Sequence, residues 1–329
     1  MDRLAMNHRP RIALALGDPS GIGPEIALKA LLDDAVWELC EPVLVGEAAV
    51  LQRHAGSCGI ALGVERDAIT LGNRRVTLVP VDAGGAAVSL AQVSPEAGRA
   101  TVAYARRAIE LALAGTVDAV VACPHNETAV NAGGTKFDGY PGFLADVAGV
   151  SRDAVFLMLV SERFRIVNVT LHVSMRQALD QLTVARIVTA AHAADRAVRR
   201  LGVARPRIGV CGINPHAGEH GLFGTEDETI VKPAVAQARA DGLDIADPVG
   251  ADVLLAGGGY DVYLAMFHDQ AHIPIKLLSA GASSGMPIGT AVLFSSVPHG
   301  SAFDIVGKNR ANAGAIVTTL KRLAAVSRA

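Results

Sequence analysis

Four runs of apolar residues in this chain each lead directly into a histidine. The run 117–122 leads to Cys123, Pro124 and His125, and 165–171 leads to His172. The run 207–213 leads through Asn214 and Pro215 to His216, and 261–267 leads to His268. A neutral imidazole binds divalent cations and carries protons near neutral pH. Three imidazoles on one crevice make a shell for a zinc-, nickel-, cobalt- or iron-like ion that keeps open positions for substrate. Magnesium or manganese also fits where substrate oxygens complete the shell. An ion so held polarises a bound hydroxyl or carbonyl. Asp252 and Asp269 are candidates to orient these rings by accepting their second N–H. One histidine after a strand is usually a hydrogen-bonded loop residue. Four in the same position are hard to explain by packing.

The histidines share a crevice only if the apolar runs are strands with their carboxyl ends along one edge. Runs of strand length fall at 12–16, 42–45, 76–81, 117–122, 154–160, 165–171, 207–213 and 261–267. Stretches rich in Ala and Leu at 24–32, 95–114, 183–201, 226–240 and 310–325 have helical length. Near-continuous apolar strands between helices predict an α/β sheet covered on both faces. In such sheets ligands bind outside the carboxyl ends of the strands.

Two glycine-punctuated segments border helices. Gly17-Asp18-Pro19-Ser20-Gly21-Ile22-Gly23-Pro24-Glu25 joins the first strand to the first helix. Pro24 suits a helix start, and free amides there can hold an anion. The segment does not match G-x-G-x-x-G, and no spaced acidic residue completes a Rossmann fingerprint. The second segment, His299-Gly300-Ser301-Ala302-Phe303-Asp304-Ile305-Val306-Gly307-Lys308-Asn309-Arg310-Ala311-Asn312, is a loop entering the last helix.

Composition narrows the class. The 329 residues are 50% hydrophobic and 19% charged, ample for one large or two smaller domains. Formal charge is −2 with no block of like charge, which argues against nucleic acid as a partner. No apolar run reaches the roughly 18–20 residues of a membrane span. Residues 1–10 carry charge and no apolar stretch, so no secretory signal is expected. Cys40, Cys58, Cys123 and Cys211 are scattered, with no C-x-x-C pair, which fits reduced thiols in the cytoplasm.

The chain resembles the 4-hydroxythreonine-4-phosphate dehydrogenase family of vitamin B6 synthesis over nearly its whole length. The resemblance is carried by 17–25, Thr170-Leu171-His172, Gly212-Ile213-Asn214-Pro215-His216-Ala217-Gly218-Glu219 and Ala265-Met266-Phe267-His268-Asp269-Gln270. The loop 299–312 is also similar to the cofactor loop of isopropylmalate and isocitrate dehydrogenases, whose fold the family shares. The resemblance implies a non-Rossmann, two-domain α/β/α subunit working as a homodimer. Residues 1–124 with 276–329 would form one domain carrying most of the NAD site. Residues 125–275 would form the other, with the metal ligands and the dimer interface. It implies that His172, His216 and His268 hold a divalent cation, one of them, expected to be His268, reaching in from the partner subunit. It implies NAD on His299, Gly300, Ser301, Ala302, Asp304 and Asn312, with Asp304 at the ribose hydroxyls and Asn312 at the adenine. Lys276 would contact substrate, with Asp269 and His125 as further catalytic candidates.

The departures point to a substrate. Where the vitamin B6 enzymes bind phosphate with a His-Thr pair, an Asn and an Arg, this chain has Tyr140-Pro141, Gly285 and Phe294. Asn126 stands where many relatives carry Lys. A phosphate site without its Arg and hydroxyl donors loses its strongest bonds. Segments 122–125, 127–129, 139–141, 156–160 and 272–278 are more similar to a branch of the family that handles aromatic acid cis-dihydrodiols, the terephthalate dihydrodiol dehydrogenase type. Tyr140 and Phe294 would suit a flat ring. The expected activity is therefore NAD-linked oxidation of a carboxylated cis-dihydrodiol followed by decarboxylation. The alternatives are 4-hydroxythreonine-4-phosphate or a phosphorylated four-carbon sugar acid as substrate. Outside this class stand an NAD-independent metal lyase and a non-catalytic binding protein, for which the 299–312 loop would have no use.

Overall fold

The computed structural model describes residues 9–279 and 283–327. The expectation for 1–10 therefore falls almost wholly outside the described residues. The chain divides into two compact units, Met1–Asp138 with Ala291–Ala329, and Gly139–Thr290. The boundaries read from the sequence stood at 124/125 and 275/276.

The first unit holds strands β1 (Arg11–Ala15), β2 (Glu41–Gly46), β3 (Leu62–Val64), β4 (Ala68–Leu71), β5 (Arg74–Pro80) and β6 (Ala119–Ala122). The second holds β7 (Phe156–Val160), β8 (Arg165–Asn168), β9 (Arg207–Val210), β10 (Asp244–Ile245), β11 (Val262–Ala265) and β12 (Ser284–Ile288). The chain then returns to the first unit in β13 (Phe294–Ser296). Strand order in the first unit is β13-β6-β1-β2-β5-β4-β3. Its centre is parallel, and only β4 and β3 run antiparallel to their neighbours. Order in the second unit is β10-β9-β11-β8-β7-β12, with β7 alone running antiparallel to both its neighbours, β8 and β12. The central strands are buried along nearly their whole length, as the continuous apolar runs require.

The long helices follow local rules. Ser94 Oγ accepts the Ala97 N–H at 3.1 Å and Pro95 occupies the first turn of Pro95–Leu113. Ala97, Thr101, Tyr104, Ala108 and Leu111 form its buried stripe. Thr183 caps Val184–Arg200 in the same way, through Arg186 N–H at 3.2 Å.

Two helices differ from expectation. The helix expected at 226–240 begins as a π-turn, Asp227–Val231, and becomes α-helical only over Lys232–Ala240. Pro233 has no N–H to close an i→i−4 bond, so the ladder enters it with wider spacing. The last helix is Gly314–Ser327 rather than 310–325. Ala311 N–H is held by the buried carboxylate of Glu25 at 3.0 Å, and Asn312 Oδ1 accepts Gly314 N–H at 2.7 Å. Those two bonds keep 310–312 as loop. The short strands β3, β4, β10, β12 and β13 carry too few apolar residues to be seen as runs.

Candidate active site

In the second unit β8 and β11 are parallel neighbours, with Leu264 opposite Val167 and Ala265 opposite Asn168. The pairing continues past the strands: Val169 N–H donates to Ala265 O at 2.9 Å, and Thr170 Oγ1 donates to Met266 O at 2.7 Å. Both chains thus arrive together at His172 and His268, whose ring centroids stand 5.8 Å apart. Strand β9 lies on the other side of β11. Gln270 ties the two strand ends, accepting from Met266 N–H at 2.8 Å and donating to Gly212 O at 2.8 Å. Beyond Gly212 the chain turns into Asn214, Pro215 and His216.

His268 is the first residue of the helix His268–Leu278. Its Nδ1 lies 2.7 Å from Asp269 Oδ1, and an Nδ1–H donated there leaves the Nε2 lone pair as the ligating group. Asp269, not Asp252, is the carboxylate at this ring. One turn on, His272 stacks on His268 with centroids 3.7 Å apart and planes 12° apart. Burial, with the neighbouring His268, Lys276 and His172, pushes the His272 pKa down to about 3. His272 is therefore a neutral ring. His268, His272 and exposed Lys276 share one helix face at i, i+4 and i+8. A cavity of about 460 Å³ opens here, lined by Leu171, His172, Ser174, Gln177, His268 and Asp269 among others. A Cβ on Gly139 would stand 3.5 Å from His172 Nδ1, so Tyr140 enters the chain beside this ring.

His216 sits in a different setting. It begins five consecutive residues in the left-handed region, at φ 55°, 52°, 81°, 42° and 54°. Such backbone costs roughly 1–2 kcal/mol for each residue with a Cβ. Its side chain is exposed, with Nδ1 3.5 Å from Glu219 Oε2 and the ring edge-on to Phe223. Among the described residues of one chain, no three His, Cys, Asp or Glu side chains come together as a cation site. His172 and His268, expected from different subunits, stand beside each other in one chain, and His216 does not join them in a group of three.

In the first unit the 299–312 loop is anchored to the 17–25 loop. Asp18 is wholly buried and takes the Ser301 hydroxyl at 2.6 Å on Oδ2. Its Oδ1 takes Ser20 N–H at 2.9 Å. Ile22 N–H donates to Ser301 O at 3.0 Å. Ser301 is thus a buried latch rather than an open donor. Glu25 and Lys29 pair at 2.7 Å, and Lys29 also donates to Ala311 O at 2.9 Å. Ala302 adopts φ 45°, and Asp304 is exposed. Asn312 spends Oδ1 on the helix cap and keeps Nδ2 as a donor. Burial lowers the pKa of His299. The loops approach so closely that a Cβ on Gly21 would lie 2.6 Å from Ser301 Cβ and 2.8 Å from its carbonyl oxygen. Gly21→Ala should therefore cost about 1–3 kcal/mol by forced displacement. Thermal denaturation checks this, and an unchanged Tm would contradict the contact.

The remaining candidates are placed as follows. His125 follows β6, half-buried and edge-on to Phe137 at 5.0 Å. Asn126 caps the helix Glu127–Ala132 by accepting Ala129 N–H at 2.9 Å. Tyr140 is buried beside Phe143. Phe294 is wholly buried in β13 opposite Val120, so its ring packs in the core instead of meeting a flat substrate. Its aromatic character fits either role, and burial decides for packing. Sequence reasoning missed His272, whose spacing in His268-Asp269-Gln270-Ala271-His272 was the available signal. It also missed the Asp18 and Glu25 anchors, which act across more than 280 residues of chain.

The fold is mixed α/β without a Rossmann fingerprint, and comparison with known proteins defines the family. The model of the pyridoxal phosphate biosynthetic protein PdxA matches residues 38–323, and the chain belongs to that family. It is 45% identical over 320 residues to a 1,2-dihydroxy-3,5-cyclohexadiene-1,4-dicarboxylate dehydrogenase of Comamonas sp, covering 97% of this chain and 98% of the relative. A solved terephthalate 1,2-cis-dihydrodiol dehydrogenase from Burkholderia xenovorans LB400 shares 42% identity. It matches with TM-score 0.69 over 97% of this chain and 98% of its own. A solved 4-hydroxythreonine-4-phosphate dehydrogenase from Klebsiella pneumoniae shares 34% identity, with TM-score 0.81 over 97% and 99%. The chain is an oxidoreductase of the dehydrogenase class, as these relatives are. No helix among the described residues is long and apolar enough to cross a membrane.

Proposed function

We propose that this chain is a cytoplasmic, homodimeric dehydrogenase, dependent on NAD and a divalent cation, that oxidises a carboxylated cis-dihydrodiol with loss of carbon dioxide. The observation that carries this reading is the 45% identity, end to end, with a dehydrogenase named for such a dicarboxylate diol. Tyr140 and Gly285, in place of phosphate ligands, support it, since both are buried and uncharged. The higher TM-score of the Klebsiella enzyme favours 4-hydroxythreonine-4-phosphate as the second reading.

In the reaction a ring carbinol C–H bond breaks, its electron pair leaving as hydride while the hydroxyl loses its proton. The product ketone is β to a carboxylate. The C–C bond to that carboxylate then breaks, and its electron pair completes an aromatic ring. When bound, the cation supplies Lewis acidity at the reacting oxygen and NAD supplies the hydride acceptor. His172 and His268 would hold the cation, with His216 contributed by a second copy of the chain. Asp269 keeps His268 in the ligating tautomer. Lys276 offsets the substrate carboxylate, and His125 is the candidate acceptor of the hydroxyl proton. Leu277 is 76% exposed, Leu222 72% and Val253 61%. These apolar residues, all in the second unit, are the surface on which a second copy would be buried. The test is incubation with NAD and a carboxylated cis-dihydrodiol, following NADH absorbance and carbon dioxide release.

Asp304 sets the cofactor expectation. Its exposed carboxylate would accept from the ribose 2′-hydroxyl and repel a 2′-phosphate, giving NAD a preference of about tenfold or more over NADP in kcat/KM. Steady-state kinetics with both cofactors checks it. An equal or reversed preference would take Asp304 away from the ribose.

A further inference from the structure

The left-handed run at His216–His220 needs something to hold it. Four of its five residues carry a Cβ, and backbone of that kind persists only where its surroundings over-determine it. The group beneath it is Asp227, wholly buried at the start of the π-turn. Its Oδ1 accepts Ile213 N–H at 2.8 Å and its Oδ2 accepts Asn214 N–H at 2.9 Å. Asn214 Nδ2 donates to Glu226 Oε2 at 2.8 Å, and Ala217 N–H returns to Asn214 O at 3.1 Å. Two successive peptides at the entry to the turn are thereby clamped by a charge. A buried carboxylate used only on backbone N–H groups is a costly way to fill space, since an apolar side chain would do so without desolvation. What it fixes is the direction in which the chain leaves β9 and offers the His216 ring.

We infer that Asp227 is a positioning residue for a divalent-cation ligand: through Ile213 and Asn214 it holds the strained turn that presents His216. The inference rests on the reading of His216 as a ligand. An asparagine at 227 keeps the shape but turns an NH2 toward one of the two N–H donors, so one clamp is lost.

The test is cobalt(II) titration of the cation-free full-length protein, read by the visible absorption of the imidazole-bound ion. Asp227→Asn should raise the cobalt dissociation constant about 10- to 100-fold, the usual cost of losing an outer-shell partner. Asn214→Ala should weaken binding in the same direction by less. His216→Ala sets the scale for losing the ligand itself. Cobalt bound within twofold of wild type by Asp227→Asn and Asn214→Ala, with His216→Ala still weakened, would overturn the positioning role and leave the ligand reading intact. His216→Ala binding cobalt as wild type does would overturn the ligand reading and the inference together. If Asp227→Asn does not fold, as circular dichroism would show, Asp227→Glu decides by the same criterion.

Discussion

Replacing His268 with alanine should lower kcat/KM by about 10³-fold or more, because a Lewis acid at the reacting oxygen is worth several kcal/mol and each 1.36 kcal/mol is tenfold. The loss falls on two functions. The Nε2 donor disappears, and Asp269 Oδ1 loses the ring partner it holds at 2.7 Å. His172 loses the neighbouring ring whose centroid stands 5.8 Å from its own. Its removal should have an effect of similar size. His192 is the matched control. It pairs with Asp241 at 2.9 Å on the surface, and such pairs contribute little. His192→Ala should therefore keep wild-type kinetics. Steady-state rates at saturating cation, with cobalt affinity measured in parallel, check the set. A His268→Ala enzyme within tenfold of wild type would remove this ring from the chemistry.

The histidines at strand ends were legible because hydrophobic burial is local information. A run such as 261–267 declares itself a strand, and the residue after it is then at the sheet edge. The parallel pairing that brings His172 to His268 follows from the α/β pattern. What was not legible depends on contacts distant in sequence. Glu25 holds Ala311 across the first unit, and it moves the start of the last helix from 310 to Gly314. Asp18 turns Ser301 from an apparent cofactor donor into a buried latch. Pro233 was visible, but its effect as a π-turn depends on where the ladder begins. The left-handed backbone at Ala217, Glu219 and His220 has no signature in residue type, since none is the glycine or asparagine that usually marks such a turn. Phe294 illustrates the limit of composition: an aromatic residue serves a core or a binding site equally well, and only burial separates them.

The chain should also turn over a carboxylated cis-dihydrodiol in preference to 4-hydroxythreonine-4-phosphate. A phosphate dianion leaving water needs several donors, and an uncompensated buried charge costs several kcal/mol, so the preference should reach about 10³-fold in kcat/KM. Three arginines of the second unit are already engaged. Arg152 Nε donates to Asp146 Oδ1 at 2.8 Å, and the Arg163 guanidinium lies over the Phe164 ring at 4.9 Å. Arg186 bonds Val169 O at 2.8 Å and Asp153 at 3.0 Å. Lys276 is exposed, and in the proposed reading it is taken by the substrate carboxylate. The direct measurement is kcat/KM for both compounds, with NAD and a divalent cation present, read as NADH formed. Rapid NADH formation and carbon dioxide release are expected with the dihydrodiol acid, and little with the phosphorylated amino acid. Efficient turnover of the phosphorylated substrate alone would contradict it and assign this chain to the vitamin B6 reaction.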